Sequence, residues 1–234
     1  KDGGWSDDAR GTFGWGMSAS GLAAVWAAEN TREAIVAAMR RREVYATSGP
    51  RIAVRTYGGL NLPPTVLDTP GFPDSIQTQA VPMGGEIMGA GVGDRFSLAI
   101  EAQADPKSGH LDRIQVVKGW IDASGETQER VYDAAWSGDD RLLPDGALAA
   151  VGSSVDLNTG LTANTIGSPR LTAVWQDPEF DPAQSAFYYV RVLQIPTARH
   201  SLLDKLALGN EDIDTRRPDT IQERAYTSPI WYRP

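Results

Sequence analysis

Residues 95–104 read RFSLAIEAQA, and this stretch has the cleanest alternation of apolar and polar side chains in the chain. Successive side chains of a β-strand point to opposite faces of the sheet. The alternation therefore predicts a strand with one buried and one more polar face. The apolar face consists of Phe96, Leu98, Ile100, Ala102 and Ala104.

Shorter runs of the same kind lie on both sides of this stretch. They are separated by segments rich in glycine and proline, of which the whole chain has 24 and 15. Such segments form the turns between the strands of all-β domains. Residues 122–127 (DASGET) predict one such turn between two paired strands. The chain is therefore expected to be mainly β, with an antiparallel, Ig-like β-sandwich. The predicted strands are 44–47, 51–57, 78–83, 95–104, 111–121, 128–136, 149–156, 171–176, 186–195 and 225–232.

Two helices interrupt this pattern. Asn30 followed by Glu33 resembles a capping box, which predicts the start of a helix. Apolar residues then recur at helical spacing up to the basic run 40–42. Basic residues interact favourably with the C-terminal end of a helix, so this run predicts where the helix ends. Residues 201–208 predict a second helix that ends at Gly209. Residues 21–29 are compatible with a short helix or an extended arm, and residues 1–20 and 211–220 predict loops.

The composition excludes several classes of function. The 22 basic and 30 acidic residues give a net charge of −8, so the chain lacks the positive field that nucleic-acid binding requires. It has no cysteine and two histidines, which leaves no thiolate site and no histidine-rich metal site. No apolar run approaches the roughly 18 residues of a membrane span. The start at Lys1, without an initiator methionine, suggests a processed chain or a piece of one.

Three local motifs are weak. The glycine run 89–93 leads into a strand and not a helix, so it predicts a loop and not a phosphate cradle. Asp177, Glu179 and Asp181 offer oxygens to calcium, but they lack the pattern of a calcium loop, and a solvated turn is the favoured interpretation. His200 is adjacent to Ser201, yet neighbours in sequence rarely face each other, which favours a surface histidine.

Four stretches resemble one family. They are residues 18–52 (SASGLAAVWAAENTREAIVAAMRRREVYATSGPRI), 111–120 (LDRIQVVKGW), 181–196 (DPAQSAFYYVRVLQIP) and 220–232 (TIQERAYTSPIWY). In this order they are similar to the carboxy-terminal part of domain of unknown function 3604. The amino-terminal part of that family resembles the PHP (polymerase and histidinol phosphatase) metal-dependent phosphoesterases.

The resemblance implies a division of the chain. Residues 1–50 would be the end of a PHP-like α/β domain (a loop, one helix and a short strand), and residues 51–234 an appended β-sandwich. The divalent metal ions would lie in the upstream domain, because no metal-ligand motif of the family occurs here and no cofactor is expected in this chain. The parent would often be exported, which implies a periplasmic or secreted, soluble protein.

The first functional hypothesis follows from that division. The chain would be the β-sandwich region of a metal-dependent hydrolase of the phosphoesterase type, inactive alone, with the upstream PHP-like domain as its partner and a small-molecule ester as substrate. Its contribution would be to the rim of the substrate site. The candidate rim residues are Trp26, Glu29, Arg32, Arg199, His200, Trp231 and Tyr232.

An alternative hypothesis makes the chain a binding module for carbohydrate or for a protein. Its seven tryptophans would supply a stacking face. However, Trp120, Trp136 and Trp175 fall within strand patterns and are expected in the core. Two or more coplanar, exposed tryptophan rings would favour the alternative, and burial of all seven would remove it.

Overall fold

The computed structural model describes residues 21–209 and 217–234. The loop predicted over residues 1–20, with Trp5, Phe13 and Trp15, lies outside these ranges, as does most of the predicted acidic loop. The helices are α1 (Arg32–Arg40) and α2 (His200–Leu208). The strands are β1 (Leu22–Val25), β2 (Val44–Thr47), β3 (Ala53–Leu60), β4 (Ala80–Pro82), β5 (Glu86–Met88), β6 (Phe96–Gln103), β7 (Leu111–Ile121), β8 (Thr127–Trp136), β9 (Arg170–Gln176), β10 (Ala186–Gln194), β11 (Thr197–Ala198), β12 (Thr220–Ile221), β13 (Arg224–Thr227) and β14 (Ile230–Arg233).

Two sheets pack face to face, and this confirms the expected β-sandwich. The small sheet has the order β4-β3-β6-β9, and all of its pairs are antiparallel. The large sheet is centred on β10, which pairs with β7 along its length and with β13 and β14 on its other side. β8 extends the sheet beyond β7, and β2 with β1 extends it beyond β13.

The core lies between the two sheets. The apolar face predicted for residues 95–104 is buried: Phe96, Leu98 and Ile100 are all at 0% exposure. They meet the inward-facing residues of β7 and β10, such as Val116 and Val190. Burying a large apolar side chain contributes roughly 1.5–3 kcal/mol, so the alternation that predicts the strand also holds the sandwich together.

The segment that contains β1, α1 and β2 belongs to the large sheet. β2 pairs with β13 in antiparallel register, and β1 pairs with β2. The predicted arm over 21–29 is thus a short strand. The helix begins one residue later than the capping box predicts, because Thr31, with extended backbone, is its N-cap and accepts a hydrogen bond from Ala34 N. Arg42 lies beyond the helix end and donates to Gly84 O.

One predicted strand is absent. Residues 149–156 form no strand; an isolated bridge joins Val155 to Thr162, and the turn at Asp156 closes it. On the last strand, Tyr232 Oη donates a hydrogen bond to Pro182 O at 2.7 Å. These two residues lie close together because β14 pairs with the beginning of β10.

Candidate functional site

A large concave surface lies at one end of the large sheet. There β7 ends, β8 and β10 begin, and β14 runs beside β10. The groove has a volume of about 1070 Å³, and most of its wall is apolar. This volume is slightly above the range of about 300–1,000 Å³ that is typical of small-molecule sites.

The floor of the groove is a row of four residues, one from each of four adjacent strands. Trp231 is paired with Phe187, Phe187 with Gly119, and Gly119 with Glu129. Directly opposite residues share one face of a sheet, and this face points away from the core. The row therefore places two aromatic rings and one carboxylate on the same outer surface.

Gly119 lets the Phe187 ring lie flat on the sheet. A Cβ atom at position 119 would be 2.2 Å from Phe187 Cζ, which no side chain tolerates. The Trp231 ring lies beside that of Phe187, with 5.3 Å between centroids and 50° between planes. Trp231 is 42% exposed. Together Trp231 and Phe187 form what we call the aromatic platform.

The charged residues that line the groove differ in how many hydrogen bonds and ion pairs they already form. Four hydrogen bonds, from Ser124 N, Ser124 Oγ, Glu126 N and Gln128 Nε2, fully engage Asp122. The Ser124 hydroxyl contributes most to lowering the pKa of Asp122 to about 2. Arg233 forms an ion pair with Glu86.

Glu129 is a hydrogen-bond acceptor in the groove that is available to a ligand. It lines the groove and is exposed, and within the described ranges its carboxylate forms no hydrogen bond or ion pair. Burial and then the nearby Glu129 carboxylate raise the pKa of Tyr189, which lies on the same face. Asp181 has one free oxygen, since its Oδ1 accepts a hydrogen bond from Ala183 N.

A buried ion pair lies on the inner side of the same sheet. Lys118 Nζ donates to Asp177 Oδ2 at 2.6 Å and to Glu179 O at 2.9 Å. Tyr188 Oη donates to the same carboxylate oxygen at 2.7 Å. Lys118 is 2% exposed and Asp177 1%, so the solvated turn favoured for these acidic residues is wrong for Asp177.

Two tyrosines beside this ion pair have raised pKa values. Burial, followed by the Asp177 carboxylate, raises the pKa of Tyr188 far above its usual value. Nearer the surface, Tyr132 Oη donates to Glu179 Oε2 at 3.0 Å, and burial with this hydrogen bond raises the pKa of Tyr132 to about 12. Both tyrosines stay neutral at physiological pH and act as hydrogen-bond donors.

The sequence was compared with protein families, curated proteins and solved structures. The model of the family described as "Protein of unknown function (DUF3604)" matches residues 3–234. The chain belongs to the DUF3604 family. No curated protein and no solved structure matches it. The DUF3604 resemblance drawn from the sequence is thus confirmed.

The rim candidates of the DUF3604 chain fall in three places. Trp26 lies just after β1, where its indole Nε1 donates to Val54 O at 2.8 Å and the Arg55 guanidinium stacks 3.8 Å above the ring. It covers the part of β3 that β4 does not reach. Glu29 and Arg32 are exposed near the start of α1, and Glu29 Oε1 accepts a hydrogen bond from Thr31 Oγ1.

The second place is the start of α2. Arg199 donates to Pro218 O at 3.0 Å. His200 Nε2 and Ser201 Oγ are buried without hydrogen-bond partners in the described ranges, and no hydrogen bond joins them. The third place is β14, where Trp231 belongs to the aromatic platform and Tyr232 is buried at 0% exposure.

The tryptophans of the DUF3604 chain differ in their exposure to solvent. Trp26, Trp120, Trp136 and Trp175 are half-buried, and Trp231 is exposed. Trp120 and Trp175 pack against the core, as expected for strand residues. The stacking surface therefore pairs one tryptophan with a phenylalanine, and sequence reasoning missed Phe187, Gly119 and Glu129.

Two features are absent from the ranges of the DUF3604 chain that the structure describes. No group of three His, Asp or Glu side chains there has the arrangement of a metal site. No helix there has the length and apolarity required to cross a membrane.

Proposed function

We propose that this chain is a ligand-binding β-sandwich and that its ligand lies on the aromatic platform. One observation carries the proposal: an exposed tryptophan and a phenylalanine share an open groove of about 1070 Å³ with a carboxylate that has no partner among the described residues. Binding sites combine apolar and aromatic walls with a few free polar groups. The groove has both properties.

The arrangement of the groups in and beneath the groove also favours a binding role over a catalytic one. The charged and hydroxyl groups beneath it, Lys118, Asp177 and Tyr188, bind one another and are buried. Within the groove, Asp122 is held ionised by four donors. What faces solvent is a rigid surface on paired strands, and such surfaces position ligands well.

We further propose that the binding surface serves a larger metal-dependent hydrolase of the phosphoesterase type. In that proposal the metals and the chemistry belong to an upstream PHP-like domain, and the chain is inactive alone. An exported parent, periplasmic or secreted, fits the family resemblance. The support is membership of DUF3604, together with the integration of the 22–47 segment into the large sheet through β2 and β13, which would couple an upstream domain rigidly to the groove.

The binding role is tested by ¹H–¹⁵N NMR of the full chain with a panel of soluble oligosaccharides, peptides, a polyamine and small phosphoesters. Localised shifts of the Gly119 amide and the Trp231 indole are expected with at least one class. Shifts confined to residues far from the groove, or no shifts with any class, would contradict the proposal.

The catalytic clause needs a separate assay. The pure chain is incubated with p-nitrophenyl phosphate and bis(p-nitrophenyl) phosphate in the presence of Mg²⁺, Mn²⁺ or Zn²⁺. The expected turnover equals that of buffer with metal alone. Metal-dependent turnover by the pure chain would overturn the statement that it is inactive alone, without bearing on the groove.

A further inference from the structure

We infer that the occupant of the aromatic platform is a neutral oligosaccharide that lies across the four strands, from Trp231 to Glu129. This inference rests on the proposed binding function and specifies its ligand. It follows from the shape of the row, from the charge of the groove and from the pairing of the backbone beneath it.

The length of the row calls for an elongated ligand. Trp231 and Glu129 are separated by three strand spacings, which amounts to about 14 Å at about 4.8 Å per spacing. A compact ligand would reach Trp231 or the Glu129 carboxylate, but not both. A short oligosaccharide spans this length.

The chemistry of the row matches the two sides of a sugar. A pyranose ring has an apolar face of C–H groups, which packs on an aromatic ring, and hydroxyl groups around its edge. Trp231 and Phe187 supply flat apolar surface in the exposed half of the row. Glu129 and the free oxygen of Asp181 accept hydrogen bonds from hydroxyls, and charged acceptors form the stronger bonds.

The charge of the groove argues against an anionic ligand. Its carboxylates are Asp122, Glu129 and Asp181, and its cation Arg233 is paired with Glu86. A phosphate ester or a sugar acid would meet net negative charge. The ligand is therefore not an anion, and a phosphoester is not expected in this groove even if the parent hydrolyses one elsewhere.

The backbone beneath the row argues against an extended peptide. Peptides often bind sheets by adding a strand at an unpaired edge. Here the row crosses β14, β10, β7 and β8 on the face of the sheet, and the ladders between these strands are formed. A peptide laid across them would find no free backbone partners, whereas a saccharide needs only side chains.

The experiment is isothermal titration calorimetry of the full chain with neutral oligosaccharides of two to six units from the common plant and bacterial polysaccharides. At least one series is expected to bind, with affinity that rises with length up to about three units. Trp231→Ala should weaken binding about thirtyfold, as for a central aromatic contact, and Glu129→Gln severalfold. Leu161→Ala, at a side chain 70% exposed on the distant 155–162 turn, should leave the affinity unchanged.

The outcomes separate this inference from the function on which it rests. Groove shifts in the NMR panel with peptides, with a polyamine or with phosphoesters, but not with neutral sugars, would overturn the saccharide and keep the binding site. Sugar binding that Trp231→Ala leaves intact would also overturn the inference. No groove shift with any class would overturn both.

Discussion

Lys118 Nζ lies 2.6 Å from Asp177 Oδ2, and this ion pair joins the two sheets of the sandwich. Lys118 is on β7 of the large sheet, and Asp177 follows β9 of the small sheet. Tyr188 of β10 donates to the same carboxylate. Because all three side chains are buried, each charged or polar group binds another protein group in place of water, beneath the groove.

The first prediction concerns this ion pair. Lys118→Met leaves an unpaired carboxylate in the core, and we expect a loss of about 3–5 kcal/mol in the free energy of unfolding. Chemical denaturation followed by circular dichroism measures the loss. Since that loss is large relative to the total stability of a domain, the double variant Lys118→Met/Asp177→Leu is measured alongside and should recover much of it.

The matched control is the exposed pair that Arg130 forms with Glu179. Arg130→Met should destabilise the protein much less than Lys118→Met, because exposed ion pairs are screened by water and salt. Equal losses for the buried and the exposed variants would contradict the role assigned to Lys118.

The second prediction concerns the glycine under the platform. Gly119→Ala places a Cβ atom within 2.2 Å of Phe187 Cζ, so the ring must leave its position. We expect a loss of about 1–3 kcal/mol from overpacking and a shifted Trp231 indole resonance. In Gly91→Ala the new Cβ would be 3.5 Å from Asp94 Oδ2, and this control should stay within about 0.5 kcal/mol of the parent. An unchanged indole resonance in Gly119→Ala would show that the platform does not depend on this glycine.

The third prediction concerns Trp26, whose indole binds the carbonyl of Val54 on β3. Trp26→Phe keeps a ring for Arg55 but removes the donor, and should cost about 0.5–1.5 kcal/mol. The same substitution at the exposed Trp231 should change stability by less than about 0.5 kcal/mol. Thermal unfolding of the two variants side by side decides the matter: equal destabilisation would remove the structural role of Trp26.

The fourth prediction concerns pH. Hydrogen bonds lower the pKa of Asp122 from 3.8 to about 2, so its ionised form stabilises the fold above pH 4. A group with a lowered pKa loses that contribution as the pH falls toward the folded-state pKa. Asp122→Asn should therefore melt below the parent protein at pH 7, and the difference in Tm should shrink between about pH 4 and pH 2. A difference that stays constant across this range would contradict the assignment.

Local patterns predict the strands well and the site poorly. The strand at residues 95–104 can be predicted from its own sequence, because the alternation of apolar and polar side chains and the burial of one face are properties of that single strand. The platform depends on pairings between distant segments: Trp231 meets Phe187 only because β14 pairs with β10. Asp177 resembles a solvated turn locally, and its lysine lies 59 residues away. The one local signal for the site was Gly119 beside Trp120, a glycine inside a strand pattern, which marks close approach.

The central claim is that the aromatic platform is the binding surface of this chain. The most direct measurement is the ¹H–¹⁵N NMR spectrum of the full chain during titration with the tightest neutral oligosaccharide found by calorimetry, in the parent protein and in Trp231→Ala. The account predicts saturable shifts at the Gly119 and Phe187 amides and at the Trp231 indole, and the loss of the amide shifts in the variant. Shifts that cluster elsewhere, or that persist unchanged in Trp231→Ala, would contradict it.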